Sequence, residues 1–110
     1  MADAYIYDAV RTPRGKGKPD GALHEITPTD MSTQVFDALV ERNNLATDQV
    51  EDVVMGCVSP VGEQGANVGR TAVLSSKLGE GVPSYQLNRF CASGLQAVNN
   101  AAEKVASGAA

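Results

Sequence analysis

The sequence predicts an α/β protein with a parallel core sheet, and three observations lead to this fold class. Segments with strand-like and helix-like patterns alternate along the 110 residues, in the order strand, helix, strand, helix, strand, helix. The middle strand is an unbroken apolar run, which is typical of a strand covered on both faces of a parallel sheet. Glycine follows two of the helical segments, at the position where helices commonly end. This alternation favours strand–helix–strand units with right-handed crossovers.

The chain is predicted to begin with a strand and a loop. Residues Ala4–Val10 contain the β-favouring Tyr5, Ile6 and Tyr7 and are predicted as the first strand. Glycine and proline repeatedly interrupt residues 11–21, which also hold a short basic stretch. We therefore expect these residues to form a solvated loop.

The first predicted helix has a clear start and a clear end. Thr27 can cap the helix, Pro28 suits its first position, and an acidic residue follows in the first turn. Apolar residues then recur at helical spacing over Met31–Leu39. The pair Asn43-Asn44 is expected to end the helix.

The rest of the chain is predicted to continue the alternation of strands and helices. In chain order the segments are a turn over Thr47–Val50, a strand over Val53–Val58, a helix over Ala66–Leu78 stopped by Gly79, a strand over Ser84–Leu87 and a helix over Cys91–Ser107 stopped by Gly108. The last helix carries small residues between its apolar ones, so we expect it to be largely buried.

Composition excludes several classes of protein. The net charge is −4, and no basic face competes with the acidic residues, so a nucleic-acid surface is not expected. No apolar run approaches the ~18 residues of a membrane span, and the first ten residues lack the features of a signal peptide. We expect a cytoplasmic protein with neither a nucleic-acid partner nor a membrane span.

Two cysteines are the chemically most interesting residues. Nothing suggests export, so Cys57 and Cys91 are expected to be reduced thiols. With one histidine in the chain there is no zinc-ligand spacing, and neither a metal nor a cofactor site is predicted. Cys57 ends an apolar strand and is expected to be a small buried hydrophobe.

Cys91 lies between a short strand and the first turn of an apolar helix. A helix N-terminus favours negative charge, and its free N–H groups can bind a developing oxyanion. Ser93 is expected to hydrogen-bond within the first helical turn, and Gly94 to permit close approach of backbone or substrate. Position alone leaves a reactive nucleophile and an inert buried thiol equally open for Cys91.

The residues around Cys91 decide between these alternatives. The segment Asn88–Val98 reads NRFCASGLQAV and closely resembles the nucleophilic-cysteine segment of the thiolase family. Two earlier segments also resemble that family, at matching spacing: Ala9–Lys16 and Gly56–Arg70. The resemblance therefore extends over the whole chain, in order.

The resemblance implies an acyl-CoA C-acyltransferase, a 3-ketoacyl-CoA thiolase. By this likeness Cys91 attacks the 3-keto carbon and forms an acyl-enzyme thioester, and its backbone N–H is an oxyanion donor. CoA then accepts the acyl group, giving acetyl-CoA and a shortened acyl-CoA. CoA thioesters are implied as substrates and no cofactor is implied. The implied partners are further copies of the chain, as a homodimer or dimer of dimers, and the hydratase/dehydrogenase subunit of a β-oxidation complex.

A thiolase subunit is several times longer than this chain. We expect residues 1–110 to be an incomplete N-terminal thiolase domain, the nucleophile-bearing part of the αβαβα fold, with the C-terminal domain absent. The family's catalytic base and acid would lie outside these residues, so the chain alone is expected to be inactive. The single histidine, His24, is expected to be a surface or helix-entry residue.

Several alternatives remain open at this point. The segments Arg11–Lys16 and Cys57–Gly62 look more like degradative, β-oxidation thiolases, with a biosynthetic, acetoacetyl-CoA-forming thiolase as the main alternative. A non-catalytic assembly element that needs another chain to complete the fold is the alternative from a different class. The polar loop residues Glu63, Gln64 and Asn67 are either solvated or line an interface or the site.

Overall fold

The computed structural model describes residues 2–110 and has an α/β fold. Helices and strands alternate, with two short 3₁₀ turns between them. The described elements are α1 (Pro28–Arg42), a 3₁₀ turn (Thr47–Gln49), β1 (Val53–Gly56), a second 3₁₀ turn (Gly62–Gln64), α2 (Val68–Ser75), β2 (Ser84–Leu87) and α3 (Ser93–Ser107). The predicted alternation over residues 27–108 is confirmed.

The two strands form a parallel sheet, as predicted. Val53 lies opposite Ser84 and Gly56 lies opposite Leu87, with α2 in the connection between the strands. Helix α1 packs against α2, and α3 packs against β1. This arrangement brings the carboxyl ends of both strands to one edge of the sheet, which is where parallel α/β folds commonly place functional groups.

Helix α1 begins and ends where the sequence predicts. The Thr27 side chain accepts a hydrogen bond from the Asp30 N–H, and Pro28 occupies the first turn. Asn43 is the C-cap, with its backbone N–H on the carbonyls of the last turn. Local capping chemistry is sufficient to define both ends.

The hydrophobic core lies between the two packed helices and the start of the sheet. Its fully covered members come from α2 and the segment that follows, and half-buried side chains from α1 and the start of β1 complete it. The cluster comprises Val73, Leu78 and Val82, with Phe36, Val40, Val50 and Val53 packed against them. It holds β1 and β2 in place without involving their carboxyl ends.

The prediction of a first strand over Ala4–Val10 is wrong. In the described structure this segment joins no sheet, and its residues Tyr5, Ile6 and Tyr7 are 71 to 91% exposed. Asp8 ties it to the end of α1 through Arg42 (3.1 Å) and the Asn43 side chain (2.9 Å). Residues with high β-propensity form a strand only where a neighbouring strand pairs with them and one face is buried. This segment has neither in the described structure.

Helix α3 is less buried than predicted. Only Ser93 and Ala97 are buried in it, whereas Leu95 and Val98 are 66% and 53% exposed. Strand β1 is likewise half-buried along its length rather than covered on both faces. One face of α3 packs on β1, whereas apolar side chains on the rest of the helix surface remain largely exposed in the described structure. None of the helices within residues 2–110 combines the length and apolar composition required to cross a bilayer.

Four element boundaries differ from the prediction, and side chains act as caps at the two that bound α2. Helix α2 starts after Asn67, whose Oδ1 accepts the Arg70 N–H, and ends before the C-cap Ser76, whose hydroxyl donates to the Val73 carbonyl. Strand β1 ends at Gly56 rather than Val58, and α3 begins at Ser93 rather than Cys91. Cys91 therefore lies in a turn and not in the helix.

Candidate active site

Cys91 lies in the turn that connects β2 to α3. Its thiol is free and exposed to solvent. Backbone pairing continues past the end of β1, where the Cys57 N–H donates to the Leu87 carbonyl at 3.0 Å. The turn therefore starts at the carboxyl-end edge of the sheet, and Cys91 is presented to solvent beside it.

The residue before the cysteine has an unusual backbone conformation. Phe90 has φ +48°, in the left-handed region that bulky L-residues rarely adopt. Two successive turns follow, in which the N–H groups of Ala92 and Ser93 donate to the carbonyls of Arg89 and Phe90, both at 3.0 Å. The chain reverses sharply at this point, and the reversal places Cys91 at the tip.

The N–H groups of this turn differ in availability. Those of Ala92 and Ser93 are used within the turn, whereas the Cys91 N–H donates to no protein acceptor within residues 2–110. The thiol and an available backbone donor thus belong to the same residue. The Cys91 N–H is the donor that the sequence predicts for a developing oxyanion.

Ser93 is a buried structural hydroxyl. The residue is 4% exposed, its Oγ accepts the Arg89 N–H at 2.8 Å, and its hydroxyl donates to the Phe90 carbonyl at 2.6 Å. The predicted hydrogen bonding in the first turn of the helix is confirmed. Because Ala92 supplies no side-chain cap, this hydroxyl organises the start of α3.

Asn88 braces the turn from the other side. Its Oδ1 accepts the Phe90 N–H at 2.9 Å, and its Nδ2 donates to the Val58 carbonyl at 3.1 Å. Asn88 belongs to the segment that resembles the thiolase family, and the sequence predicts no separate role for it. The available signal was that asparagine favours turns in which its side chain bonds to the N–H two residues later.

Gly56 allows the start of α3 to lie directly on the end of β1. A Cβ at this position would be 2.6 Å from the Gly94 nitrogen and 2.8 Å from the Ser93 carbonyl oxygen. At Gly94 itself a Cβ would meet nothing within 4 Å. Gly94 was expected to permit close approach of backbone or of substrate. For the backbone this is corrected, because the glycine that the contact requires is Gly56, while approach of substrate to Gly94 stays a prediction.

A row of polar side chains runs along α3 from the turn. Arg89 donates to Gln96 at 2.8 Å, and Gln96 donates to Asn100 at 2.7 Å. At the far end Lys104 binds Asp52, just before β1, at 2.5 Å. The hydrogen bond from Asp52 raises the pKa of Lys104, against a smaller opposing effect of desolvation. Both ends of the helix are thus tied to neighbouring backbone or side chains.

The other candidate residues lie in local structural contacts. Cys57 is buried, as predicted, with Gln64 Nε2 at 3.7 Å from its sulfur. His24 is exposed, and its Nδ1 lies 2.9 Å from the Gly17 carbonyl oxygen. Glu63 accepts the Thr29 N–H at 3.1 Å, and hydrogen bonding from Thr29, first of all from its side chain, lowers the pKa of Glu63. Of the three polar loop residues, Asn67 caps α2.

Acidic and histidine side chains do not contact the thiol in this part of the protein. Within residues 2–110, no His, Asp or Glu hydrogen-bonds to Cys91, and no group of three or more potential ligands is placed to hold a metal ion. The described site therefore consists of a thiol, one available backbone donor and the two side chains that brace the turn.

Comparison with known families identifies the class to which this fold and site belong. The family model described as "Thiolase, N-terminal domain" matches residues 4–110, including all the elements of the fold and the Cys91 turn. The chain belongs to the thiolase family, a family of acyltransferases.

Individual relatives are similar over almost the whole chain. It is 41% identical over 109 residues to a "Beta-ketoadipyl-CoA thiolase" of Pseudomonas putida, a match covering 98% of this chain and 27% of that protein. It is 38% identical over 104 residues to a "3-ketoacyl-CoA thiolase" of Acinetobacter baylyi, covering 94% of this chain and 26% of the relative. A "3-ketoacyl-CoA thiolase" of Cronobacter sakazakii is 36% identical. The chain thus spans about a quarter of the length of these relatives.

Proposed function

We propose that this chain carries the nucleophile of a 3-ketoacyl-CoA thiolase, which works through an acyl-enzyme on Cys91. The observation that carries the proposal is the exposed Cys91 thiol, held at the tip of a braced turn beside an available backbone N–H. The family match and the relatives named 3-ketoacyl-CoA thiolase support the substrate class.

The first half-reaction cleaves a carbon–carbon bond. The Cys91 thiolate attacks the 3-keto carbon of the substrate and forms a bond from sulfur to that carbon. The bond between C2 and C3 then breaks, and its electron pair stays on C2 of the departing acetyl-CoA unit, which takes up a proton. The acyl group remains on Cys91 as a thioester.

The second half-reaction returns the enzyme to its starting state. The thiolate of CoA attacks the acyl carbon, the bond from that carbon to the Cys91 sulfur breaks, and the shortened acyl-CoA leaves. Both steps place negative charge on the former carbonyl oxygen. The Cys91 N–H is suited to stabilise that charge because a backbone donor is fixed in place before the reaction begins.

The described residues suit the part of the site that holds the acyl group. Cys91 is exposed, as attack on a large CoA thioester requires, and the space beside Gly94 is open. Ser93 is buried with its hydroxyl already engaged, so it does not compete as a nucleophile. We place the proton donor, the base and the CoA pocket outside residues 2–110.

The metabolic role, oligomeric state and partner subunit of the protein form the second part of the proposal. We propose a degradative thiolase of fatty-acid β-oxidation, acting as a homodimer or dimer of dimers in the cytoplasm, in association with a hydratase/dehydrogenase subunit. The similarity to relatives named β-ketoadipyl-CoA thiolase favours a second candidate substrate, a dicarboxylic 3-ketoacyl-CoA.

Turnover by the full-length protein tests the proposal. We expect it to convert 3-ketoacyl-CoA and CoA into acetyl-CoA, across a series from acetoacetyl-CoA to longer chains and β-ketoadipyl-CoA. The Cys91→Ser variant should lose this activity, and Cys57→Ala, which changes a buried thiol, should retain it. Activity on acetoacetyl-CoA alone would favour the biosynthetic alternative. Full turnover by Cys91→Ser would contradict the proposal.

A further inference from the structure

We propose that Asn88 and Ser93 are positioning residues, which together hold Phe90 in its left-handed conformation and thereby fix the direction of the Cys91 thiol. The inference rests on the proposed role of Cys91 as the nucleophile. Neither side chain is assigned contact with the substrate. Both act on the backbone of the residue that precedes the cysteine.

The conformation of Phe90 requires support from its surroundings. At φ +48° the Cβ of an L-residue crowds the carbonyl that follows, so the conformation persists only where neighbouring groups hold it. Phe90 is 74% exposed, so packing of its own ring supplies little of that support. The constraint must therefore act on its peptide groups.

The peptide group on the N-terminal side of Phe90 is held by Asn88. The Asn88 Oδ1 accepts the Phe90 N–H at 2.9 Å. The same side chain donates from Nδ2 to the Val58 carbonyl at 3.1 Å, in the segment that follows β1. One carboxamide thus connects the turn to the segment that follows the neighbouring strand. The Phe90 N–H is thereby held in a fixed position relative to the sheet.

The peptide group on the C-terminal side of Phe90 is held by Ser93. The Phe90 carbonyl accepts both the Ser93 hydroxyl at 2.6 Å and the Ser93 N–H at 3.0 Å. The same hydroxyl oxygen accepts the Arg89 N–H at 2.8 Å. Because Ser93 is buried, water does not readily replace these bonds. Loss of the hydroxyl would remove one hydrogen bond from the Arg89 N–H and one from the Phe90 carbonyl.

Ser93 itself cannot move toward the sheet. A Cβ on Gly56 would lie only 2.6 Å from the Ser93 carbonyl carbon. The first residue of α3 therefore packs directly against the end of β1. With Asn88 anchored on Val58 and Ser93 seated on β1, both peptide groups of Phe90 are fixed relative to one sheet. The thiol and the N–H of Cys91 then keep their relative direction, as a near-attack geometry requires.

The acylation rate of the full-length protein tests the role of Ser93. With 3-ketoacyl-CoA in single turnover, Ser93→Ala should lower the rate of Cys91 acylation by about 100-fold, the scale of loss expected from misplacing a reacting atom by about 1 Å. The substrate concentration that gives half of the maximal single-turnover rate should remain unchanged, since no substrate contact is removed. Ser93→Thr keeps the hydroxyl and should recover most of the rate. Ser75→Ala is the matched control, because its hydroxyl also donates to a backbone carbonyl but lies on α2.

Asn88 provides a second, independent variant on an exposed residue. Asn88→Ala should also slow acylation, with the same half-saturating substrate concentration in single turnover, whereas Asn88→Asp, which keeps the acceptor for the Phe90 N–H, should lose less. If Ser93→Ala does not fold, Asn88→Ala decides the question alone. Wild-type acylation rates in these alanine variants, or equal losses in Ser93→Ala and Ser93→Thr, would overturn the inference. Failure of the proposed function would instead appear in the unmodified protein, as an acyl group on a residue other than Cys91.

Discussion

Gly56 and Gly94 lie in such close contact that a single Cβ on Gly56 would be 2.6 Å from the Gly94 nitrogen. The first glycine ends β1 and the second lies in the first turn of α3. This contact seats the helix that follows the cysteine directly on the sheet. The geometry of the Cys91 turn therefore depends on a residue that precedes it by thirty-five positions in the chain.

Substitution of Gly56 should disturb the turn as well as the fold. We predict that Gly56→Ala lowers the free energy of unfolding by about 1–3 kcal/mol, because the clash is with backbone and no rotamer relieves it. Urea denaturation of the full-length protein measures this loss. Gly81→Ala is the control, since a Cβ there meets nothing within 4 Å. Equal stability of the two variants would show that the contact is looser than described.

The two cysteines should differ sharply in accessibility. We predict that iodoacetamide alkylates Cys91 in the native protein, because its side chain is exposed, and that Cys57 reacts only after unfolding. Peptide mass mapping before and after addition of guanidinium chloride distinguishes the two sites. Rapid native labelling of Cys57 would contradict the packing described around β1.

The hydrophobic core should be more sensitive than the neighbouring surface. Val73 is fully buried, so Val73→Ala should cost about 2 kcal/mol through lost apolar contact and the cavity left behind. Leu74 is the next residue and is 52% exposed, so Leu74→Ala should cost less than about 1 kcal/mol. Denaturation midpoints of the two variants, measured side by side, test this difference. A larger loss for Leu74→Ala would place the core elsewhere.

The Glu63 carboxylate, which lies in the second 3₁₀ turn and contacts the first turn of α1, should make stability depend on pH. Hydrogen bonding from Thr29, first of all from its side chain, lowers the pKa of Glu63 below 4.5, its ordinary value, against partial desolvation. A carboxyl group whose pKa is lowered in the folded state stabilises the protein at pH values above the pKa that the group has in the unfolded chain. That contribution is lost as pH falls below 4.5 and through the lowered folded value.

The Glu63→Gln variant measures this contribution. We predict that it has a lower melting temperature than the unmodified protein at pH 7, and that the difference shrinks as the pH falls below 4.5. Asp48→Asn, in the 3₁₀ turn after α1, is the control. A difference between Glu63→Gln and the unmodified protein that stays constant from pH 7 to pH 3 would contradict the assigned hydrogen bond.

Local sequence patterns predicted the parts of the fold that depend on local chemistry. Both ends of α1 follow from Thr27, Pro28 and Asn43, because caps act on backbone groups within the same turn. The left-handed residue after α3 is Gly108, with φ +81°, as a glycine after the last helical turn predicts. The Cys91 motif was likewise recognised from a contiguous run of residues.

Features that depend on distant partners could not be predicted in this way. The strand expected at Ala4–Val10 had suitable residues but finds no neighbouring strand in the described structure. The positive φ of Phe90 arises from bonds to Asn88 and Ser93, and no property of phenylalanine indicates it. The requirement for Gly56 arises from the packing of α3 on β1, which only the three-dimensional arrangement reveals.

Trapping of the acyl-enzyme tests the central claim most directly. The full-length protein, mixed with a 3-ketoacyl-CoA in the absence of free CoA and quenched in acid, should gain the mass of one shortened acyl group. Peptide mapping should locate that group on Cys91, and addition of CoA before quenching should remove it. An acyl group on any other residue, or turnover without an acylated Cys91, would contradict the account.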